Sequence, residues 1–324
     1  MAKRVQCELC PNACVLEPGQ HSRCRARMNK NGVLYSVVYG KPCAVHIDPI
    51  EKKPFFHFLP GTRAFSIATA GCVLSCKFCQ NWQISQARPE DTDTYDMPPA
   101  KVVSNAISYQ CRSVTYTYTE PTVFYEYMYD TAGIAKKQGI KNTMHSCGYI
   151  NEKPLRTLSK YMDAADVDLK GFTEDFYSRI CGGSLKPVLN ALTVLKDEGV
   201  WLEITNLIIP TLNDDLKKIR DMSGWIVRNL GADVPVHFSR FFPHYKLTNL
   251  PPTPLEILEG ARKTAIDAGL KFVYVGNIRH EGESTFCPQC KKLLVERIGY
   301  FVKQNHILSG RCTFCNTAIA GVWS

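Results

Sequence analysis

The sequence lacks several features that mark membrane, secreted and low-complexity proteins. No stretch approaches the roughly eighteen consecutive apolar residues that a membrane span needs, and residues 1–10 lack the apolar core of a signal peptide. There is no internal repeat, no low-complexity segment and no run of five or more Lys and Arg residues. We therefore expect a cytoplasmic protein that does not associate with a membrane.

Cysteine, in contrast, is abundant. The 324 residues include fifteen cysteines, of which eleven fall into three tight groups and four, Cys43, Cys111, Cys147 and Cys181, are scattered. In a cytosolic chain long enough to bury a sizeable core, such groups favour metal sites over disulfides. The net charge of +9 is a mild excess, compatible with an acidic protein or nucleic-acid partner.

The central group consists of Cys72, Cys76 and Cys79, with the spacing C-x3-C-x2-C inside residues 71–82. Three thiolates on one short loop suit a cubane 4Fe-4S cluster. Because a closed cluster takes four cysteines, three leave one iron open for a ligand that is not protein. The alternative is a zinc knuckle, or a fourth ligand from elsewhere, although zinc sites are usually built from paired C-x2-C hooks.

This motif resembles that of the radical S-adenosylmethionine (SAM) superfamily, in which an aromatic residue often stands where Phe78 does. A strand-like run at 65–68 leads into the loop. The resemblance implies that SAM chelates the open iron through its amino and carboxylate groups, accepts an electron and yields a 5'-deoxyadenosyl radical. We therefore hypothesise an enzyme whose catalytic cluster is bound by Cys72, Cys76 and Cys79.

Residues 1–60 contain a second group, Cys7, Cys10, Cys14 and Cys24. Four thiolates from so short a segment suit a zinc ion, which would stabilise the local fold, or a closed 4Fe-4S cluster, which would also carry electrons. Ligand type alone does not select between the two. We expect the rest of this segment, with a strand-like run at 33–39, to be a connector packed on the main domain.

Residues 284–324 contain the third group, two C-x2-C hooks formed by Cys287, Cys290, Cys312 and Cys315. Hooks of this kind on short β-hairpins are typical of a zinc ribbon. Rubredoxin-like iron is the competing occupant, since tetrathiolate geometry accepts both metals.

Between these two segments, residues 61–283 alternate strand-like and helix-like patterns. Six or seven βα units predict an α/β fold with a parallel sheet and right-handed crossovers. Periodicity alone does not show whether the sheet closes; the resemblance implies a partial, open (βα)6-type barrel. In either architecture the chemistry belongs at the carboxyl ends of the strands.

The second predicted strand runs into Tyr118, Thr119, Glu120 and Pro121. The superfamily often has Gly-Gly-Glu-Pro here, a motif that receives the cofactor's amino group. The resemblance implies this role for Glu120, with Tyr118 and Thr119 in place of the glycines. The alternative is that Glu120 is an N-terminal helix cap.

The fourth strand ends in Asp168, Leu169 and Lys170. In pyruvate formate-lyase activating enzymes and their relatives, an Asp-Leu-Lys stands at this strand end, near the cofactor and a bound cation. The resemblance implies that Lys170 contacts the cofactor carboxylate and that Asp168 orders the site; a solvated ion pair is the alternative. Within the cysteine loop, the candidate cofactor residues are Phe78 and Asn81.

Three further strand ends supply candidates. Ser146, after strand three, is placed to bond the cofactor, and Cys147 is either a hydrogen-atom donor or a small buried residue. On strand five, Thr205 and Glu203 are candidates for contact with the ribose. Beyond strand six, His244 resembles a residue near the adenine in the activating enzymes.

Nearly the whole chain resembles one narrower group, the radical SAM enzymes of the AmmeMemoRadiSam system. The shared features are the N-terminal cysteines, residues 50–54, 71–82 and 116–122, the Asp-Leu-Lys and residues 275–277. The resemblance implies Memo-like and AMMECR-like partners and a flavodoxin or ferredoxin as electron donor. It leaves the substrate open.

Two other functions remain alternatives. A glycyl-radical-enzyme activase is one, although Gln80 stands where those activases commonly carry His. A non-catalytic, metal-stapled module that binds protein or RNA is the other, and only an activity assay separates it from the enzyme.

Overall fold

A computed structural model describes residues 3–324 of the chain. The N-terminal segment forms two antiparallel pairs, β1 (Val5–Gln6) with β2 (Val15–Leu16) and β3 (Arg27–Lys30) with β4 (Val33–Ser36). The run predicted as a strand at 33–39 is therefore the second arm of a hairpin. In the described part of the chain, no helix is long and apolar enough to cross a membrane.

An eight-stranded sheet forms the centre of the molecule. Seven parallel strands lie side by side in chain order, and an antiparallel strand pairs with the first of them at one edge. The eight strands are β5 (Ala44–Pro49), β6 (Arg63–Ala68), β7 (Ser113–Tyr116), β8 (Lys141–Ser146), β9 (Ala164–Asp168), β10 (Trp201–Ile208), β11 (Val236–Arg240) and β12 (Val273–Gly276). Because β5 and β12 are edges, the sheet is open, as the resemblance to a partial barrel implied.

Helices cover the crossovers between the parallel strands. The α-helices are α1 (Trp82–Ser85), α2 (Pro99–Ser108), α3 (Tyr125–Lys137), α4 (Glu152–Ser159), α5 (Glu174–Phe176), α6 (Leu185–Asp197), α7 (Leu216–Asn229) and α8 (Leu255–Asp267). Short 3-10 turns occupy Ile50–Lys52, Pro89–Asp91, Pro121–Phe124 and Glu281–Glu283, and a π-helical turn occupies Tyr177–Cys181. The six crossovers give the α/β fold expected from the alternating pattern.

Strand β5 was not anticipated from the sequence. It lies inside the stretch interpreted as a connector, yet it pairs with β6 along its whole length, from Ala44 opposite Ala68 to Pro49 opposite Arg63. Most of its side chains are exposed or half-buried, so it lacks the apolar alternation that identifies a strand in a sequence. Its backbone hydrogen bonds cover the edge of the parallel sheet.

The C-terminal segment consists of short antiparallel strands. A three-stranded sheet contains β13 (Thr285–Phe286), β14 (Leu293–Ile298) and β15 (Phe301–Asn305), and β16 (Ile307–Leu308) pairs with β17 (Arg311–Cys312). This is the hairpin architecture predicted for the third cysteine group. The segment packs on the main domain through an apolar cluster that includes Phe56, Phe272 and Leu294.

A buried carboxylate ties the segment before β6 to the sheet. Glu203, on β10, is fully buried and accepts hydrogen bonds from the backbone N–H groups of Phe56 (3.0 Å) and His57 (2.8 Å), from the Trp201 indole (3.1 Å) and from His237 (Nε2 to Oε2, 2.7 Å). Burial alone would raise the pKa of Glu203, but its interaction with His237 lowers it below the ordinary value. The negative charge is therefore held in place by its donors.

We predict that Glu203→Gln lowers the free energy of unfolding by about 3 kcal/mol, because four buried donors lose the charged acceptor that they share. A glutamine also presents an amide N–H₂ to groups that already donate, including the N–H groups of Phe56 and His57. Anaerobic urea unfolding of the two proteins measures the difference.

The matched control is Asp233→Asn, which removes an exposed ion pair between Asp233 and Lys271 (3.0 Å). Exposed pairs contribute about 0–1 kcal/mol, so this variant should unfold almost as the wild type does. Equal stability of the Glu203 variant and the control would contradict the role given to the buried carboxylate.

Candidate active site

The loop at 71–82 follows β6 and is fixed by close backbone contacts. Gly71 has φ +100°, and a Cβ at this position would lie 2.3 Å from the carbonyl oxygen of Cys24, so only glycine fits. On the other side, the N–H groups of Ser75 and Lys77 donate to the carbonyl oxygens of Cys181 (2.9 Å) and Ile180 (3.0 Å). The loop is thus held between the N-terminal segment and the π-helical turn.

Cys72, Cys76 and Cys79 all line one cavity of about 440 Å³ at the carboxyl ends of the parallel strands. This size suits a ligand of cofactor dimensions. Burial and the carboxylate of Glu120 raise the pKa of Cys72, and burial raises that of Cys79. A cationic partner such as iron favours the thiolate form of these cysteines over the thiol. The three sulfur donors therefore fit an iron-sulfur cluster.

Glu120 lies in the wall of the same cavity and is almost fully buried. Its Oε1 accepts hydrogen bonds from the N–H (3.1 Å) and hydroxyl (2.7 Å) of Thr122 and from the hydroxyl of Ser146 (2.9 Å). Its Oε2 accepts one protein hydrogen bond, from the N–H of Cys147 (2.7 Å). A carboxylate oxygen has two lone pairs, so Oε2 retains acceptor capacity.

Tyr118 adopts the backbone conformation that a glycine would supply. Its φ is +63°, in the left-handed region, and its carbonyl oxygen accepts a hydrogen bond from the Asn81 side chain (2.7 Å). The phenol donates to Asp48, and the ammonium of Lys53 lies 3.9 Å from the ring centroid. Lys53 also pairs with Asp48 at 2.7 Å. Side-chain contacts thus hold a tyrosine where the superfamily motif has glycine.

A cluster of four charged groups meets at the ends of β8 and β9. The Lys170 ammonium lies 2.6 Å from Oδ2 of Asp168, and the His145 ring lies 2.7 Å from Asp166 (Nδ1 to Oδ1) and 3.5 Å from Asp168 (Nε2 to Oδ2). Burial alone would lower the pKa of His145, but the carboxylates of Asp168 and Asp166 raise it to about 10. The Thr205 hydroxyl donates to Oδ2 of Asp166 (3.0 Å).

His145, Asp166 and Asp168 place one ligand atom each within 4.8 Å of one another, which suits a metal ion. His145 also balances the two carboxylates itself, since they raise its pKa. A protonated imidazole between two carboxylates is itself the cation of this cluster.

The cavity brings together nearly all of the cofactor residues proposed from the sequence. It is lined by Phe78, Asn81, Glu120, Ser146, Asp168, Lys170 and Thr205, besides the three cysteines. His244 is not among the lining residues, because the chain turns there and its N–H bonds to Leu247. Glu203, two residues before Thr205 on the same strand, does not line the cavity either, because its carboxylate binds the segment at Phe56.

Sequence reasoning missed several lining residues, among them Lys53, Tyr118, His145 and Tyr300. The signal for His145 was its place beside Ser146 at a strand end, and Lys53 lies in a motif already noted at 50–54. Tyr300 belongs to the C-terminal segment and reaches the cavity from the turn between β14 and β15. No local pattern in the sequence predicts that approach.

The C-terminal cysteines form a compact site. The sulfurs of Cys287, Cys290, Cys312 and Cys315 all lie within 4.8 Å of one another, with Cys287 3.6 Å from Cys315 and Cys290 3.8 Å from Cys312. Tetrahedral bonds of about 2.3 Å to one zinc ion place sulfurs about 3.8 Å apart. The four thiols therefore fit a single ion.

Comparison with known proteins identifies the central domain of the chain. The sequence pattern of the Radical SAM superfamily matches residues 66–222. An uncharacterized protein of Methanocaldococcus jannaschii, MJ0808, is 47% identical over 319 residues, which are 98% of this chain and 95% of the relative. The pyruvate formate-lyase-activating enzyme of Clostridium pasteurianum is 26% identical over 177 residues, covering 53% of this chain and 71% of that enzyme.

Among solved structures, a radical SAM methyltransferase from Sphaerobacter thermophilus superposes with a TM-score of 0.54 at 16% identity. The match covers 73% of this chain and 71% of that one, and it shows a shared fold. A cavity lined by three cysteines of one loop, the matched sequence pattern and the shared fold lead to one conclusion. Residues 66–222 of the chain form a radical SAM domain.

Proposed function

We propose that the chain is an enzyme that binds a 4Fe-4S cluster at Cys72, Cys76 and Cys79 and cleaves SAM reductively. When bound, the cluster supplies one electron to SAM, which gives methionine and a 5'-deoxyadenosyl radical for hydrogen abstraction from a substrate still to be identified. The observation that carries the proposal is the convergence of three thiols and the polar side chains of four strand ends on one cavity. The enzyme's own residues position the cofactor and exclude water.

Glu120 is the residue we assign to the amino group of SAM. It lies in the cavity wall, and its Oε2 has acceptor capacity left after bonding Cys147. The bonds from Thr122 and Ser146 fix the other oxygen, so the carboxylate is oriented before the cofactor arrives. An ammonium group at Oε2 would form a charge-assisted hydrogen bond.

Lys170 is the residue we assign to the carboxylate of SAM. Its ammonium is mostly buried in the cavity wall and is anchored by Asp168, whose interaction raises the pKa of Lys170 above the ordinary value against the effect of burial. His145 shares that carboxylate and positions it. Lys170 is therefore protonated and retains donors for an anionic ligand.

A glycyl-radical-enzyme activase is the second candidate, favoured by the similarity to pyruvate formate-lyase-activating enzymes over half of the chain. The narrower resemblance to the AmmeMemoRadiSam group supports a different substrate and suggests Memo-like and AMMECR-like partners. We propose a reduced flavodoxin or ferredoxin as electron donor and the cytoplasm as the location.

The proposal predicts formation of 5'-deoxyadenosine by the anaerobically reconstituted protein with dithionite and SAM. The variant with Cys72→Ala, Cys76→Ala and Cys79→Ala should form none, because it lacks the three thiols that would bind the cluster. The control is Cys43→Ser, a half-buried thiol outside the three groups, which should retain the activity. Chromatography with mass detection measures the product. A wild type that forms no product with its cluster loaded would favour a binding module instead.

We predict that Glu120→Gln weakens SAM binding roughly tenfold to hundredfold, because a hydrogen bond to a charged group contributes about 1.5–3 kcal/mol. Anaerobic calorimetry with SAM measures the affinity. The control is Glu283→Gln, another buried glutamate, which accepts from the N–H of Gly299 (3.0 Å) and does not line the cavity. Unchanged affinity in the Glu120 variant would exclude it as the partner of the amino group.

We predict that His145→Gln costs about 3 kcal/mol of stability near pH 6.5, because Asp166 and Asp168 lose their shared cation. The folded-state pKa of His145, about 10, lies above the unfolded value of about 6.5. Its stabilisation is therefore complete below about pH 6.5 and is lost as the pH rises through about 10. Anaerobic urea unfolding at both pH values measures the cost of the substitution, and an equal cost at both would contradict the protonated state.

A further inference from the structure

The N-terminal segment carries its four thiols on and beside two short turns. Cys7 and Cys14 flank a turn closed by the hydrogen bond from the N–H of Cys7 to the carbonyl oxygen of Cys14 (2.9 Å), and Cys10 begins a second turn inside it. Cys24 is buried nearby and its sulfur lies 3.0 Å from the Ser22 hydroxyl. Three of the four thiols are buried and Cys14 is half-buried.

The distances between cysteine sulfurs distinguish a site for a single metal ion from a site for a cubane cluster. Around one zinc ion, tetrahedral bonds of about 2.3 Å bring the sulfurs about 3.8 Å apart. The C-terminal thiols, Cys287 among them, meet this condition, with all four sulfurs within 4.8 Å. Within residues 3–324, neither the N-terminal cysteines nor the loop cysteines form such a group of three or more. In a cubane each thiolate binds a different iron, so the sulfurs lie farther apart.

The spacing of the cysteines in the sequence also groups the N-terminal site with the loop site. The N-terminal motif begins C-x2-C-x3-C, which contains the two intervals of the loop motif C-x3-C-x2-C in reverse order. It has a fourth thiol, Cys24, where the loop motif has none. A cubane bound there would be closed by protein and would have no iron open to SAM.

We propose that Cys7, Cys10, Cys14 and Cys24 bind a second 4Fe-4S cluster, which passes electrons to the catalytic site. This role, though not the identity of the cluster, rests on the proposed function. One electron enters from a reduced flavodoxin or ferredoxin, which is oxidised, and one electron leaves toward the loop that carries Cys72. The second cluster therefore returns to its starting state after each transfer.

The packing of the N-terminal segment on the loop supports this path. The carbonyl oxygen of Cys24 contacts Gly71, the residue before Cys72, so closely that a Cβ would lie 2.3 Å away. The Asn12 side chain donates to the carbonyl oxygen of Val73 (2.8 Å). Cys10 and Cys24 also belong to the apolar cluster that contains Val73, Leu74 and Cys76. The N-terminal segment therefore packs directly on the loop that carries Cys72.

The surface of the N-terminal segment suits an acidic electron carrier. Residues 3–41 contain seven Lys and Arg against two Glu, so this short stretch supplies +5 of the chain's net charge of +9. Three large apolar side chains, Val15, Val33 and Tyr35, are about half exposed on the same segment. One of the seven cations, Arg27, is buried against Glu126 (2.6 Å). A net-positive segment with exposed apolar groups attracts a negatively charged partner and gives it a surface to contact.

The test is a metal count on the full-length, anaerobically reconstituted protein, by elemental analysis and Mössbauer spectroscopy. We expect about eight irons per chain in the wild type, four for each 4Fe-4S cluster. The variant with Cys72→Ala, Cys76→Ala and Cys79→Ala should keep about four irons as a cubane, and the Cys10→Ala, Cys24→Ala variant about four as well. The Cys43→Ser control should match the wild type.

Loss of all iron from the triple variant, with zinc in its place at the N-terminal cysteines, would overturn the proposal. The iron content of the triple variant tests the proposal whether or not the N-terminal variant folds. The iron count is also independent of turnover. A protein that holds two clusters but forms no 5'-deoxyadenosine would refute the proposed function, while the proposal of a second cluster would still hold.

The role of the second cluster is tested by changing the reductant. In the Cys10→Ala, Cys24→Ala variant, formation of 5'-deoxyadenosine driven by reduced flavodoxin should fall to background. Formation driven by dithionite, and the response of the reduced electron paramagnetic resonance signal to SAM, should remain. Flavodoxin-driven formation at the wild-type rate would overturn the electron-transfer role.

Discussion

The contact between the carbonyl oxygen of Cys24 and the backbone of Gly71 is the constraint on which the rest of the structure depends. It requires a glycine with φ +100°, and it fixes the start of the loop that carries the three cavity cysteines. The same contact docks the N-terminal cysteines against that loop. A side chain at Gly71 would force the two segments apart, and both cysteine groups would move with them.

Buried charged groups are neutralised by hydrogen bonds and ion pairs at two places in the barrel. The two places serve different purposes. At the amino-terminal side, Glu203 is saturated by four donors and joins the sheet to the segment at Phe56. At the carboxyl ends of the strands, Glu120 and Lys170 are held by neighbours yet keep bonding capacity toward the cavity. Since an unpaired buried charge is costly, the groups that retain such capacity are those to which we assign a polar ligand.

Much of this could be predicted from the sequence, because the strongest signals are local. Cysteine spacing identified the loop motif, and the alternation of apolar patterns predicted six or seven βα units, where the structure has seven parallel strands. The edge strand at Ala44–Pro49 escaped prediction because its pairing with β6, rather than its own side chains, makes it a strand. The contacts of Tyr118 with Asp48 and Lys53 join residues far apart in the chain, which periodicity does not reveal.

The most direct test of the account is an anaerobic crystal structure of the reconstituted protein with SAM. We expect a cubane bound by Cys72, Cys76 and Cys79, with the amino and carboxylate groups of SAM on the remaining iron and Glu120 beside the amino group. A fourth protein ligand on that iron, such as the neighbouring cavity residue Cys147, or a single metal ion in place of the cubane, would contradict it.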